Sequence, residues 1–166
     1  MGIYRIKPWE ELTIRDDYMF KLIMSRKRIC KQMLERILHI EIESLSYVET
    51  EKSIIPAYQN KGVRLDVYVK DNKETVYNIE MQMRRLEGDG LSKRTRYYQA
   101  ILDTDLLAAG ASYGMLNRTF IIFICPFDPF GAGRHIYTFR NLCIEDRTLE
   151  LDDGATRIFL NTKGTR

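Results

Sequence analysis

The chain has 166 residues, of which 45% are hydrophobic and 30% are charged. That length fits one domain, and that composition is typical of a globular protein and excludes a disordered chain. Three cysteines without a C-x-x-C pair argue against a disulfide framework or a cysteine zinc site. The N-terminus lacks a signal-peptide pattern, and the longest apolar run, residues 120–125, is far shorter than the roughly 20 residues of a membrane helix. We therefore expect a cytoplasmic protein with no membrane partner.

Positive charge is concentrated in two segments. The formal net charge is only +3, from 26 basic and 23 acidic residues. Residues 15–36 contain seven basic and three acidic residues, and residues 84–96 contain five and two. This balance is compatible with a nucleic-acid partner but does not require one.

The first third of the chain predicts helices and then a strand. Thr13 and Asp16 are typical of a helix start, and Ser25 is predicted to cap a second helix. Apolar residues recur at helical spacing within residues 29–38. Residues 45–50 alternate weakly, which indicates a strand.

Two strictly alternating runs, residues 63–70 and 75–83, are separated by a turn-like segment and predict a β-hairpin. The odd-numbered residues 63–69 are expected to share one apolar face. Asp66 then lies on the polar face of the first strand, and Glu80 on the corresponding face of the second.

The rest of the chain predicts one long helix and further strands. Gly88 and Gly90 indicate a loop, and residues 91–109 form the strongest helical pattern, with Gly110 as its expected C-terminal cap. Strands are predicted at 119–125, 135–142 and 157–160. This order of elements predicts an α/β fold with a mixed central sheet flanked by helices.

The predicted hairpin contains the candidate metal-binding and catalytic residues. A three- or five-residue turn centred on Lys73 sets Asp66 directly opposite Glu80, with Cβ atoms about 4.5–5.5 Å apart. Two carboxylates at that distance repel each other unless a cation lies between them, and Mg²⁺ prefers such oxygen ligands. Such an ion can activate a water for attack on a phosphodiester. Gln82, on the same face, can hold the attacking water or a phosphate oxygen.

Several short motifs occur in an order that resembles a known family. The central ones are Leu65-Asp66-Val67 and Asn78-Ile79-Glu80-Met81-Gln82. The others are Asp17-Tyr18-Met19-Phe20-Lys21, Arg94 with Tyr97-Tyr98, Gly110 with Tyr113, and Phe159-Leu160-Asn161-Thr162. Together they resemble the Rpn-type recombination-promoting nucleases, often labelled transposases, of the PD-(D/E)XK superfamily. The resemblance runs from about Leu12 to about Thr162.

The resemblance implies a restriction-endonuclease-like αβββαβ core and a metal-dependent DNA endonuclease linked to recombination or mobile elements. Asp66 and Glu80 would bind Mg²⁺, or another divalent cation such as Mn²⁺ or Ca²⁺. The backbone carbonyl of Met81 and the carboxylate of Asp17 are candidate additional ligands. Gln82 takes the place of the motif lysine and completes the catalytic set with Asp66 and Glu80.

DNA is the expected partner, with a homodimer as a further possibility. Arg84 and Arg85 follow the site at the strand end where phosphates must pass. Arg94 and Tyr98 share a helix face and are also candidate DNA-binding residues. Asp17 has an alternative interpretation, as an acid that stabilises a helix N-terminus.

The chain departs from the family pattern in two ways. Leu65 precedes Asp66 without a nearby proline, and Gln82 lacks the charge of a lysine. Family members usually continue into a longer helical region, so we expect residues 1–166 to be one domain forming the N-terminal part of a longer architecture. The alternative function is a catalytically inactive DNA-binding or oligomerisation module that retains the fold. Strand transfer is not expected, because the chain has no room for an end-binding domain.

Overall fold

Helices and strands follow the predicted order in the computed structural model of the protein, which describes residues 7–56, 61–85 and 90–166. The predicted loop residue Gly88 lies outside these ranges. The helices are α1 (Asp17–Met24), α2 (Lys27–Leu38) and α3 (Leu91–Leu106). The strands are β1 (Leu45–Ile54), β2 (Val63–Asp71), β3 (Val76–Met81), β4 (Thr119–Cys125), β5 (Ile136–Phe139) and β6 (Ala155–Asn161).

The strands form one six-stranded mixed sheet in the order β1-β2-β3-β4-β6-β5. Strands β1, β2 and β3 pair antiparallel, and β4 pairs parallel with both β3 and β6. Strand β5 pairs antiparallel with β6 at the edge. The predicted mixed α/β architecture, a restriction-endonuclease-like sheet flanked by helices, is confirmed. None of the helices in the described ranges has both the length and the apolar character needed to span a bilayer.

The first two helices start close to the predicted positions. Asp16 is the extended residue before α1, and its carboxylate accepts the N–H of Thr13 at 2.9 Å. The prediction for Ser25 is wrong. It follows the last residue of α1 and donates its hydroxyl to the Leu22 carbonyl at 2.8 Å, while Arg26 occupies the cap position of α2.

Helix α3 ends three residues earlier than predicted. Leu107 leaves the helical conformation with φ −95° and ψ 113°, so the helix stops at Leu106. Gly110, the expected cap, has φ 81° and lies in the turn that follows. Strands β3 and β5 are also shorter than predicted, at Val76–Met81 and Ile136–Phe139.

Two apolar clusters cover the two faces of the sheet. The cluster on one face includes residues of α3, and the cluster on the other includes residues of α1 and α2. The α3-side cluster includes Tyr98, Leu102, Ile121 and Phe123. The α1/α2-side cluster includes Phe20, Leu34, Ile79 and Ile122.

The odd-numbered residues 63–69 do not share one face as predicted. The first two, ending at Leu65, pack in the α3-side cluster, and the last two, beginning at Val67, pack in the α1/α2-side cluster. The change of face occurs across Asp66. On the neighbouring strand β1, Thr50 pairs with Val67 and Lys52 with Leu65, whereas the residue between them, Glu51, has φ 62°. The regular pleat is therefore interrupted on both strands at this point.

Candidate active site

The β2–β3 hairpin has the register predicted from the sequence. Val67 pairs with Ile79 and Tyr68 with Asn78. Extending this antiparallel register by one residue sets Asp66 opposite Glu80. The predicted register is confirmed, and the Asp66 backbone N–H contacts the Glu80 carboxylate across the hairpin.

At Asp66 and Glu80, side chains replace the ladder hydrogen bonds of the backbone. The Asp66 N–H donates to Glu80 Oε1 at 3.1 Å, and the Met81 N–H donates to Asp66 Oδ2 at 3.0 Å. Each carboxylate is thus held by a backbone group of the opposite strand. This reciprocal arrangement fixes both side chains at the open end of the hairpin.

The surroundings of Asp66 and Glu80 disfavour the ionised forms of both carboxylates. Glu80 is 3% exposed, and burial, followed by the negative charge of Asp66, raises the pKa of Glu80 from 4.5 to about 8. Burial also raises the pKa of Asp66, while the Met81 N–H and the charges of Lys21 and Arg94 oppose that shift. A buried carboxylate beside a half-buried one favours a shared proton or a cation between them.

Gln82 and Tyr98 are joined by Arg94 of α3. Arg94 donates from Nη1 to Gln82 Oε1 at 2.7 Å and from Nη2 to the Tyr98 hydroxyl at 3.1 Å. Its guanidinium lies 5.4 Å from the Tyr98 ring centroid and 5.5 Å from that of Phe123. Gln82 Nε2 in turn donates to the Arg84 carbonyl at 2.6 Å. The glutamine at the motif-lysine position is thus in direct contact with a cationic side chain.

Asp17 contacts a lysine that sequence reasoning assigned no role. Lys21 is 7% exposed and donates from Nζ to Asp17 Oδ2 at 2.7 Å and to Glu51 Oε1 at 2.8 Å. Both Lys21 and Asp17 act on the pKa of Asp66, in opposite directions. The i, i+4 spacing of Asp17 and Lys21 on a helix was the sequence signal for this pair.

Arg84 and Arg85 lie beyond the end of β3, as predicted. The Arg85 guanidinium lies 5.7 Å from the Phe127 ring centroid and donates a hydrogen bond to the Asp128 carbonyl. Both arginines, together with Arg94, line a cavity of about 280 Å³ next to Gln82. The aromatic side of this cavity was not predicted, because Phe127 and Phe130 follow a strand whose sequence indicates only an apolar core.

The oxygen donors at the hairpin fit a small hard cation. Among the residues that the structure describes, no group of three or more His, Cys, Asp or Glu side chains is placed to hold a metal ion. Mg²⁺, however, commonly uses one or two carboxylates and completes its shell with water and phosphate oxygens. Asp66 and Glu80 supply that number. The ligand role of Asp17, whose carboxylate pairs with Lys21, stays a prediction.

A carboxylate pair on a hairpin, inside a mixed sheet flanked by helices, is consistent with a PD-(D/E)XK nuclease-like fold. The chain belongs to the family described as PD-(D/E)XK nuclease family transposase, which it matches over residues 14–163. This family assignment supports a nuclease- or transposase-like function. No match to the chain was found among curated proteins.

Proposed function

We propose that the protein is a divalent-metal-dependent DNA endonuclease that hydrolyses phosphodiester bonds, with a role in recombination or mobile elements. The observation that carries the proposal is the reciprocal pairing of Asp66 and Glu80, in which each carboxylate accepts a backbone N–H of the opposite strand. A catalytic metal site must present its ligands in a fixed geometry, and this pairing fixes both side chains.

Burial of Glu80 beside Asp66 favours the binding of a cation. The raised pKa of Glu80 means that its ionised form is disfavoured until a positive charge compensates it. Mg²⁺ or Mn²⁺ would be held by Asp66 and Glu80, with the Met81 carbonyl as a candidate third oxygen. When bound, such an ion supplies Lewis-acid polarisation of the phosphate and a water of lowered pKa.

The surrounding residues have positioning and charge-balancing roles in this proposal. Arg94 supplies a guanidinium beside Gln82, where the related motif has a lysine, and so provides positive charge for the pentacovalent phosphate. Gln82 orients Arg94 through its carbonyl oxygen. Lys21 pairs with both Asp17 and Glu51 and offsets part of their negative charge, which limits the negative charge near Asp66.

Plasmid cleavage tests the proposal. Purified protein should nick or linearise supercoiled DNA in the presence of Mg²⁺ or Mn²⁺ and should stop when EDTA is added. Asp66→Ala should abolish cleavage. The control is Asp105→Ala, which removes a carboxylate of α3 that pairs with Lys52 of β1, and this variant should cut like wild type. If Asp66→Ala cuts as well as wild type, the assignment of the site is wrong.

A second candidate is a catalytically inactive DNA-binding or oligomerisation module. The observation that favours it is Gln82, a neutral residue at the lysine position whose two amide atoms both contact protein groups. Calorimetric titration with Mn²⁺ separates the two functions. Binding that is lost in Glu80→Gln supports the nuclease, and absence of binding to the wild type supports the inactive module.

A further inference from the structure

A concave cavity with basic and aromatic walls lies beside Gln82, two residues after Glu80. We call it the Arg–Phe cavity. Its volume is about 280 Å³, and the start of α3 and the segment after β4 form two of its sides. The residues used below are Arg84, Arg85, Ser92, Arg94, Phe127 and Phe130.

The polar wall of the Arg–Phe cavity suits an anion. Arg84, Arg85 and Arg94 all line it, and no Asp or Glu side chain among the described residues does. Arg94 contacts Gln82 at 2.7 Å, which connects this wall to the hairpin site. Arginine is the side chain best suited to phosphate, because its planar guanidinium donates two parallel hydrogen bonds.

The aromatic wall suits a base rather than a backbone. Phe130 is 40% exposed although its ring packs edge-on against Tyr137 and Phe159, with centroids 5.0 Å apart in each pair. Phe127 is half-buried, with the Arg85 guanidinium near its ring. A phosphodiester backbone gains little from aromatic carbon, whereas an unstacked base binds more tightly when it stacks on such a platform.

We propose that the Arg–Phe cavity binds one unpaired nucleotide of the DNA strand that is cut. Its base lies against Phe127 and Phe130, and its phosphate lies near Arg84 and Arg94. A base that remains paired in a duplex cannot enter a recess of this kind without leaving its stack. This inference rests on the proposed nuclease function and narrows its substrate class to DNA with unpaired nucleotides next to the cleavage point.

The test is a binding measurement in EDTA, so that it does not depend on cleavage. Fluorescence anisotropy would compare a labelled short oligothymidylate, a duplex of the same length, and an oligonucleotide of the same backbone length that lacks bases. The blocking variant is Ser92→Leu, which places a larger, non-aromatic side chain at the exposed rim of the cavity. The matched control is Ala100→Leu, at another small exposed residue of α3 that does not line the cavity.

We expect wild type to bind oligothymidylate about tenfold more tightly than the base-free strand, which corresponds to the stacking of a single base. Ser92→Leu should remove this difference and leave duplex binding unchanged, and Ala100→Leu should behave like wild type. Equal binding of the two single strands by wild type would overturn the proposal. So would a Ser92→Leu protein that still discriminates between them, or one that loses duplex binding to the same extent.

The outcome is separable from that of the proposed function. A protein that discriminates in this assay but cleaves neither plasmid nor single-stranded DNA in the presence of Mg²⁺ or Mn²⁺ would refute the nuclease and leave the nucleotide site in place. A protein that cleaves in a metal-dependent way but binds both single strands equally would support the nuclease and refute the nucleotide site.

Discussion

Two carboxylates of the same hairpin are almost equally buried but have opposite surroundings. Asp71, 5% exposed, accepts the N–H groups of Lys73 and Thr75 at 2.8 and 2.9 Å and the hydroxyl of Tyr77 at 2.8 Å. Glu80, 3% exposed, accepts the Asp66 N–H and faces the Asp66 carboxylate.

The comparison separates Asp71, a carboxylate that stabilises the fold, from Glu80, a carboxylate whose ionised form destabilises it. Donors surround Asp71 at the closed end of the hairpin, so its charge is compensated by the protein itself. At the open end, the negative charge of Asp66 acts on Glu80, and the Asp66 N–H and the charge of Arg94 compensate its burial only in part. Strongly perturbed groups of this second kind are typical of functional sites.

The largest expected effect is the loss of cleavage in Glu80→Gln. The change keeps the size of the side chain but removes a negative charge that the proposed cation needs. We expect plasmid cleavage to fall at least about a hundredfold, the range for loss of a group that stabilises transition-state charge. The matched control is Glu74→Gln, which makes the same chemical change at an exposed position of the hairpin turn. Comparable cleavage by Glu80→Gln and Glu74→Gln would contradict the proposed role.

Asp71→Ala should have the opposite profile. Three donors lose their acceptor, so the free energy of unfolding should fall by about 2–4 kcal/mol. Urea denaturation measures this change. Cleavage per folded molecule should match wild type, because Asp71 lies at the far end of the hairpin from the site. An Asp71→Ala protein with wild-type stability and lost cleavage would contradict the assignment of a structural role to Asp71 and a functional role to Glu80.

The pH dependence of stability should reveal the strain at Glu80. The pKa of Glu80 is about 8 in the folded protein against 4.5 ordinarily, so the unfolded chain releases its proton first as pH rises. Without divalent ions, this residue's contribution to stability should therefore be present below about pH 4.5 and lost as pH rises towards and through about 8. Above that window, Glu80→Gln should be more stable than wild type by about 1–3 kcal/mol.

Denaturant unfolding of both proteins at several pH values in EDTA would measure the difference. Glu74→Gln should show no such trend relative to wild type. A stability difference between Glu80→Gln and wild type that does not change with pH would contradict the assigned environment.

The smallest expected effect comes from Lys21. Lys21→Met leaves Asp17 and Glu51 without their shared cation and increases the negative charge near Asp66. We expect cleavage to fall about tenfold, as for groups that support metal ligands without binding the metal. Lys21→Arg should retain most activity, and Lys70→Met, which removes the lysine partner of the exposed Glu74, should be neutral. Equal cleavage by Lys21→Met and wild type would limit the site to the hairpin and α3.

The sequence was sufficient to predict the hairpin register, because strict alternation over two runs and a short turn leave few pairings that bury the apolar residues. The same reasoning failed at Leu65 and Val67, which pack on opposite faces. The change of face between these two residues accompanies the contacts of Asp66 with β3, and a periodic sequence pattern cannot predict such contacts. The early end of α3 at Leu106 likewise follows from the conformation of Leu107, not from the glycine three residues later.

The site was only partly predictable for a related reason. Asp66, Glu80 and Gln82 follow from spacing within one hairpin, a local property of the chain. The contact of Arg94 with Gln82 depends on how α3 packs on the sheet, although the i, i+4 pair of Arg94 and Tyr98 indicated a shared face. The aromatic wall at Phe127 comes from a segment far away in sequence and carried no signal.

A crystal structure of the protein with Mn²⁺ would test the central claim most directly. We expect anomalous density between the carboxylates of Asp66 and Glu80, with metal–oxygen distances of about 2.0–2.2 Å. Glu80→Gln crystals treated in the same way should lack it. Occupied density elsewhere, with Asp66 and Glu80 still bound only to backbone N–H groups, would contradict the account.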